Sequence, residues 1–169
     1  MLRDVLIKAA LEMLEQGGEP SLRAVARAAG VSAMAPYRHF ADKAALLSAV
    51  AERGFAALAR TLTAADEDPD PRGALIEQGL AYLAFARARP ALFRLMFASD
   101  FRLALGDDSG AFATLAGRVA SLGARDPDSA TILSWAAVHG MAMLSLDGRL
   151  PGLDAEGERR VVTLLAAAV

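Results

Sequence analysis

At 169 residues, with 54% hydrophobic side chains and a formal net charge of -2, the chain is long enough for a small domain joined to a larger one around a sizeable helical core. It has no cysteine, which excludes disulfides, thiolate metal sites and a cysteine nucleophile, and fits a reducing cytoplasm. The near-neutral charge excludes a protein that holds nucleic acid by bulk charge alone.

Leu2, Leu6, Ala9, Ala10, Met13 and Leu14 recur at three- and four-residue spacing, which predicts an amphipathic helix with one buried stripe. Acids inside that pattern mark it as a helix rather than a signal peptide. Gly17-Gly18 stops it. Ser21 is placed to cap a second helix that buries Leu22, Val25, Ala26 and Ala29. Gly30 supplies a left-handed turn. Ser32 caps a third helix, and Asp42 caps a fourth that runs through Leu46, Leu47, Val50, Phe55 and Leu58 to about Leu62.

Residues 65–70 are acidic and include Pro69, so they are expected to form a solvated loop. Asp70-Pro71 opens the next helix, which carries Leu75, Leu80, Tyr82, Leu83 and Phe85. Pro90 opens a short helix with a dense apolar face. A second loop is expected from Gly106 to Gly110, then a helix from about Ala111 to Leu122. Asp126-Pro127 begins a long apolar helix that ends near Leu146. Gly148 to Gly152 form a turn, and Asp154 caps a last helix. No segment alternates as a strand does, and no apolar run is expected to cross a membrane. The fold class is all-α, with about nine helices.

The stretch from Ser21 to Lys43 has the layout of a helix-turn-helix. Leu6, Leu22, Val25, Val31 and Phe40 can supply its small core. No acid lies between Ser32 and Phe40, where a carboxylate would meet phosphate and weaken binding. Tyr37, His39 and Lys43 can donate to phosphates, with Arg23 and Arg27 on the flank. Ser32, Ala33, Met34 and Ala35 can approach base edges, the apolar ones suiting a thymine methyl. Residues 1–50 hold Arg3, Lys8, Arg23, Arg27, Arg38 and Lys43 against Asp4, Glu12, Glu15, Glu19 and Asp42, so any DNA face depends on placement rather than bulk charge.

These residues resemble the DNA-binding domain of the TetR/AcrR family of bacterial regulators. The resemblance is carried by Ala29-Gly30-Val31-Ser32, Tyr37-Arg38-His39-Phe40 and Asp42-Lys43 with Leu46-Leu47 behind. It implies that Tyr37, His39 and Lys43 contact the DNA backbone and that Ser32, Ala33, Met34 and Ala35 face the major groove; Ser21 and Arg23 are also expected at the DNA. Pro36 departs from the family's common pattern, which has leucine before the tyrosine. Arg89-Pro90-Ala91-Leu92-Phe93-Arg94-Leu95-Met96-Phe97 and Trp135-Ala136-Ala137-Val138-His139-Gly140 resemble the branch with a Trp-His-Gly type C-terminal domain.

The resemblance implies a helix-turn-helix DNA-binding domain at residues 1–48 and a C-terminal helical domain at 49–169 that binds a small molecule and dimerises through the last two helices. The helix from Thr131 to Leu146 is nearly free of charge, so burial on several sides is expected, part of it against a second copy. Gly140 would let two helices approach closely. A two-fold dimer must set its recognition elements about 34–36 Å apart. Candidate pocket residues are Phe55, Tyr82, Phe85, Phe93, Met96, Phe97, Trp135, His139 and Met143.

An enzyme is not expected. His39 and His139 are the only histidines, and there is no nucleophile–base–acid set, no glycine-rich phosphate loop and no metal-binding histidine pair. No cofactor or metal is expected. The resemblance therefore implies a cytoplasmic, homodimeric transcription regulator, most simply a repressor released by a small molecule whose identity the sequence leaves open, with operator DNA as its partner and no membrane. The alternative is a helical small-molecule-binding or protein-interaction module without DNA binding, which would not account for the acid-free segment around Tyr37.

Overall fold

A computed structural model describes residues 1–98 and 110–169. Among them are eight α-helices: α1 (Leu2–Glu15), α2 (Leu22–Ala28), α3 (Lys43–Ala64), α4 (Pro71–Ala88), α5 (Pro90–Met96), α6 (Ala111–Ser121), α7 (Pro127–Leu146) and α8 (Ala155–Ala168), with one 3₁₀ helix at Pro36–Arg38. There is no strand among the described residues. The loop expected from Gly106 lies, up to Ser109, outside the described residues.

Packing divides the chain into two units. The first holds Met1–Phe55 and, among the described residues, 89–98; the second holds Ala56–Ala88 and 110–169. Residues 89–98 are distant in sequence from the N-terminal helices, yet α5 packs on α1. Leu6, Val25, Phe40, Leu46, Val50, Leu92, Phe93 and Met96 form the buried centre of this unit. Phe93 has no exposed surface, and its ring lies 4.9 Å from that of Phe97, which in turn meets Phe55 at 5.3 Å. Gly54 makes room for Met96, because a Cβ there would sit 2.6 Å from the Met96 sulfur.

Side-chain caps set several helix starts. The Ser21 hydroxyl accepts from the Ala24 N–H at 3.2 Å, and the Asp42 carboxylate accepts from the Ala45 N–H at 2.8 Å. After α2 the chain reverses at Gly30, whose φ is +68°. Val31 N–H then donates to Ala26 C=O and Gly30 N–H to Arg27 C=O, a paired closure that requires the left-handed residue. Valine at position 30 is expected to cost at least about 1–2 kcal/mol, since a side chain resists that conformation. Chemical denaturation of Gly30→Val checks this, and an unchanged midpoint would remove the assignment.

The third element differs from an α-helix capped at Ser32. Residues 33–35 form a turn, and only Pro36–Arg38 is helical, in the tighter 3₁₀ form. An α-helix starting at Ser32 would use the N–H of residue 36 as its first donor, and proline has none. The chain closes instead through Ala35 N–H to Ser32 C=O at 2.9 Å, then His39 and Phe40 N–H to Pro36 C=O.

In the second unit α4 packs against α6, α7 and α8. Gly79 permits the close approach of α8, since a Cβ there would lie 2.7 Å from a Val162 methyl. Glu158 is buried on α8 and paired with Arg87. Helix α7 is long and apolar enough, by length and composition, to cross a membrane, which corrects the expectation that no run reaches that threshold. It buries Thr131, Ser134, Val138 and Ala142 in this unit. Elsewhere on the helix Ile132, Leu133 and Leu144 are exposed among the described residues.

Candidate nucleic-acid interface and cavity

In the first unit a groove of about 330 Å³ lies among Ser21, Leu22, Arg23, Tyr37, Ala41, Asp42 and Lys43. Four of the eight residues expected at DNA therefore meet around one concavity: Ser21, Arg23, Tyr37 and Lys43. Ser32, Ala33 and Met34 lie instead on the exposed turn before the 3₁₀ helix, with Met34 67% exposed. Solvent exposure of a methionine on an acid-free turn leaves its flexible apolar side chain available for contact. His39 is exposed beside Phe40 and does not line the groove. The guanidinium of Arg3 stacks over the Phe40 ring at 5.5 Å.

Sequence reasoning missed Glu19, which is ion-paired with Lys43. The Lys43 ammonium, through its hydrogen bond and then its charge, holds the Glu19 carboxyl below the usual carboxylate range. A phosphate arriving at Lys43 competes with that carboxylate for the ammonium. Glu19→Gln is therefore expected to tighten DNA binding severalfold at low salt. Lys43→Ala should weaken it on every sequence and reduce the slope of log affinity against log salt by about one. Anisotropy titrations at several salt concentrations check both, and a Lys43→Ala variant with the parent's slope would remove this contact.

The second unit encloses a narrow cavity of about 40 Å³ whose wall includes Leu58, Leu62, Tyr82, Leu115, Trp135 and Val162, together with Gln78 and Ser134. Of the nine residues expected at a pocket, Tyr82 and Trp135 line it. His139 stands behind Tyr82, with its Nδ1 2.9 Å from the phenol oxygen. Phe85 is buried and Met143 half-buried in the same unit, but neither lines the cavity. Phe55, Phe93, Met96 and Phe97 belong to the first unit.

Residues 65–70 are more than a solvated loop. Asp66 is half-buried and accepts from Arg118 Nε at 2.7 Å and from Gln78 Nε2 at 2.7 Å. This network fixes the Gln78 side chain in the cavity wall. Burial pushes the Tyr82 hydroxyl pKa far up and the His139 pKa down, so the pair is neutral at physiological pH.

The lowered His139 pKa has a sign. The unfolded chain takes up a proton that the folded chain refuses, so this contribution to stability is intact above the ordinary histidine value of about 6.5 and declines as pH falls below it. Replacing His139 by glutamine is expected to flatten the drop in melting temperature between about pH 7 and pH 5.5. Equal slopes in the two proteins would show that His139 contributes nothing to it.

Two family models match the chain. One describes bacterial regulatory proteins of the tetR family and covers residues 6–50. The other describes a tetracyclin repressor-like C-terminal domain and covers residues 75–169. No curated protein sequence matches. Among solved structures, a protein of unknown function from Rhodococcus sp. RHA1 is 31% identical over 99% of this chain and 93% of its own, with a TM-score of 0.82. A TetR variant from Acinetobacter baumannii AYE, in complex with minocycline, is 25% identical over 98% of this chain and 94% of its own, with a TM-score of 0.71. A TetR family transcription regulator from Marinobacter aquaeolei VT8 shares the fold, at 18% identity over 99% of this chain and 94% of its own, with a TM-score of 0.72. With the C-terminal model alone spanning more than half of the sequence, and the helix-turn-helix model ahead of it, the chain belongs to the tetR family of bacterial regulatory proteins and is a DNA-binding transcriptional regulator.

Proposed function

We propose that the chain acts in the cytoplasm as a homodimeric repressor that a small molecule releases from operator DNA, with no catalytic step. Its DNA-binding part is residues 1–48, and the remaining residues, 49–169, bind the effector and dimerise. Ser21, Arg23, Tyr37 and Lys43 hold phosphates around the groove, and His39 adds a donor beside it. Ser32, Ala33 and Met34 meet base edges.

The observation that carries the dimer is the uncovered apolar side of α7 and α8. Ile132, Leu133 and Leu144 on α7 are exposed, as are Val161 and Leu164 on α8. The two helices are in contact, and exposed leucines and isoleucine concentrated on two adjoining helices favour a protein partner. Gly140 has open space around it within this chain, which leaves room for another helix. A symmetric pair of copies covers both faces at once.

The cavity, with its fixed polar groups in an apolar wall, supports an effector site. The minocycline complex of the Acinetobacter protein supports a small-molecule effector in kind, without naming this one. Helix α3 runs unbroken from Lys43 at the groove to Ala64, two residues before Asp66 and its link to Gln78. An effector can release DNA along this helix only to the extent that it binds the released state better.

In vitro transcription from the promoter of the chain's own locus tests the reading. The transcript is expected to fall as protein is added, with protection of a site that binds two copies. A transcript that rises, or stays level while the site is protected, would overturn repression.

A further inference from the structure

Among the described residues of the second unit, two buried polar atoms meet no partner. Gln78 Oε1 and Ser134 Oγ are buried without a hydrogen-bond partner, each on a residue only 2% exposed. Both residues line the same cavity. A buried donor or acceptor left dry is costly, so such pairs mark a place where something else binds.

The network behind Gln78 determines what it presents. Its Nε2 donates to Asp66 Oδ1, the oxygen that also accepts from Arg118 Nε. A carboxylate oxygen only accepts, so the amide nitrogen must face Asp66 and the carbonyl must face away from it. Gln78 therefore offers an acceptor, held in place by an ion pair. Ser134 can donate or accept. The rest of the wall is almost entirely apolar, and no charged side chain lines it among the described residues.

We propose that this cavity binds the hydroxyl group of a neutral, mainly hydrocarbon molecule. The O–H donates to Gln78 Oε1, and its oxygen accepts from Ser134 Oγ. The inference rests on reading this cavity as the effector site and narrows the effector to a lipophilic alcohol. A carboxylate would set an acceptor against the Gln78 carbonyl, with no cation on the wall to meet it. An ammonium would lose its hydration with no carboxylate lining the site. An ether has the acceptor oxygen but no donor for Gln78. The volume of about 40 Å³ suits the polar head. Leu115, Trp135 and Leu165 are only half-buried on the same wall, and their movement admits the hydrocarbon body.

Trp135 is the one tryptophan of the chain and lines the cavity, so its fluorescence reports occupancy directly. The full chain is titrated with n-hexanol, with its isomer methyl pentyl ether and with hexanoate. Hexanol is expected to give a saturable change and to bind at least about tenfold more tightly than the ether, the difference of one hydrogen bond to a buried acceptor. Hexanoate is expected to bind more weakly still. Gln78→Met should bring alcohol and ether close to equal affinity. Ser134→Ala should weaken both while keeping the preference for alcohol, and it carries the comparison where Gln78→Met does not fold by circular dichroism. Equal binding of alcohol and ether to the parent, tighter binding of hexanoate, or a Ser134→Ala variant that binds hexanol as well as the parent would overturn the proposal. So would the lack of any saturable response, with water then meeting both atoms. DNA binding measured on the same preparations separates the two readings: specific DNA binding without alcohol binding ends this inference and leaves the regulator in place.

Discussion

Leu164→Glu is expected to leave the chain folded but monomeric, and to lower operator affinity by about 10²-fold or more. Leu164 is 71% exposed within one chain, so a carboxylate there costs little in the isolated fold. In a symmetric dimer the same substitution brings two carboxylates into an apolar interface, each losing its water. Separated copies bind a two-part operator as independent heads, and the gain from linking the heads is lost. Sedimentation equilibrium with anisotropy on operator DNA checks both halves. A Leu164→Glu protein that remains a dimer with full affinity would show that this side of α8 is not the interface.

Phe93→Ala is expected to destabilise the first unit by about 3–5 kcal/mol, the range for deleting a fully buried aromatic side chain. Phe93 has no exposed surface, and its ring packs at a tilt against that of Phe97. The loss should appear in chemical denaturation and reduce DNA binding only through the fraction unfolded. Where the variant remains folded, its response to any ligand of the second-unit cavity should match the parent's. A small stability loss joined to a large change in ligand response would instead make Phe93 a pocket residue.

The contrast between Phe93 and Gln78 shows what the sequence can convey. Large aromatic and methionine side chains mark burial, and Phe55, Phe93, Met96 and Phe97 are indeed packed together, but size does not separate core from cavity wall. The informative residues on the cavity are polar. Gln78 sits on a buried stripe, three residues after Leu75 and four before Tyr82, and Ser134 precedes Val138 by one turn. A polar side chain at a core position was the available signal. Its anchor was not visible, because Asp66 and Arg118 are 52 residues apart and periodicity carries no information on such a pair.

Helix boundaries were legible where the cause is local. Ser21, Asp42, Asp126 and Asp154 each cap the helix that follows, through a side-chain oxygen and a backbone N–H within three residues. Gly30 adopts the positive φ that the turn after α2 requires. The segment from Ser32 was legible as free of acids but not in its backbone form. The composition fits a helix, while the missing N–H of Pro36 breaks the first α-helical bond. The apolar α7 was legible as a helix, yet its composition alone could not say which side the rest of this chain covers.

The most direct measurement is binding of the purified chain to duplexes from the region upstream of its own gene, against a scrambled duplex of equal length, at two salt concentrations. Tight binding to one upstream segment by two copies is expected, with a clear preference over the scrambled duplex at both salts and weaker binding at the higher salt. Equal affinity for the upstream and scrambled duplexes at both salt concentrations, repeated with a duplex selected from a random pool, would contradict it.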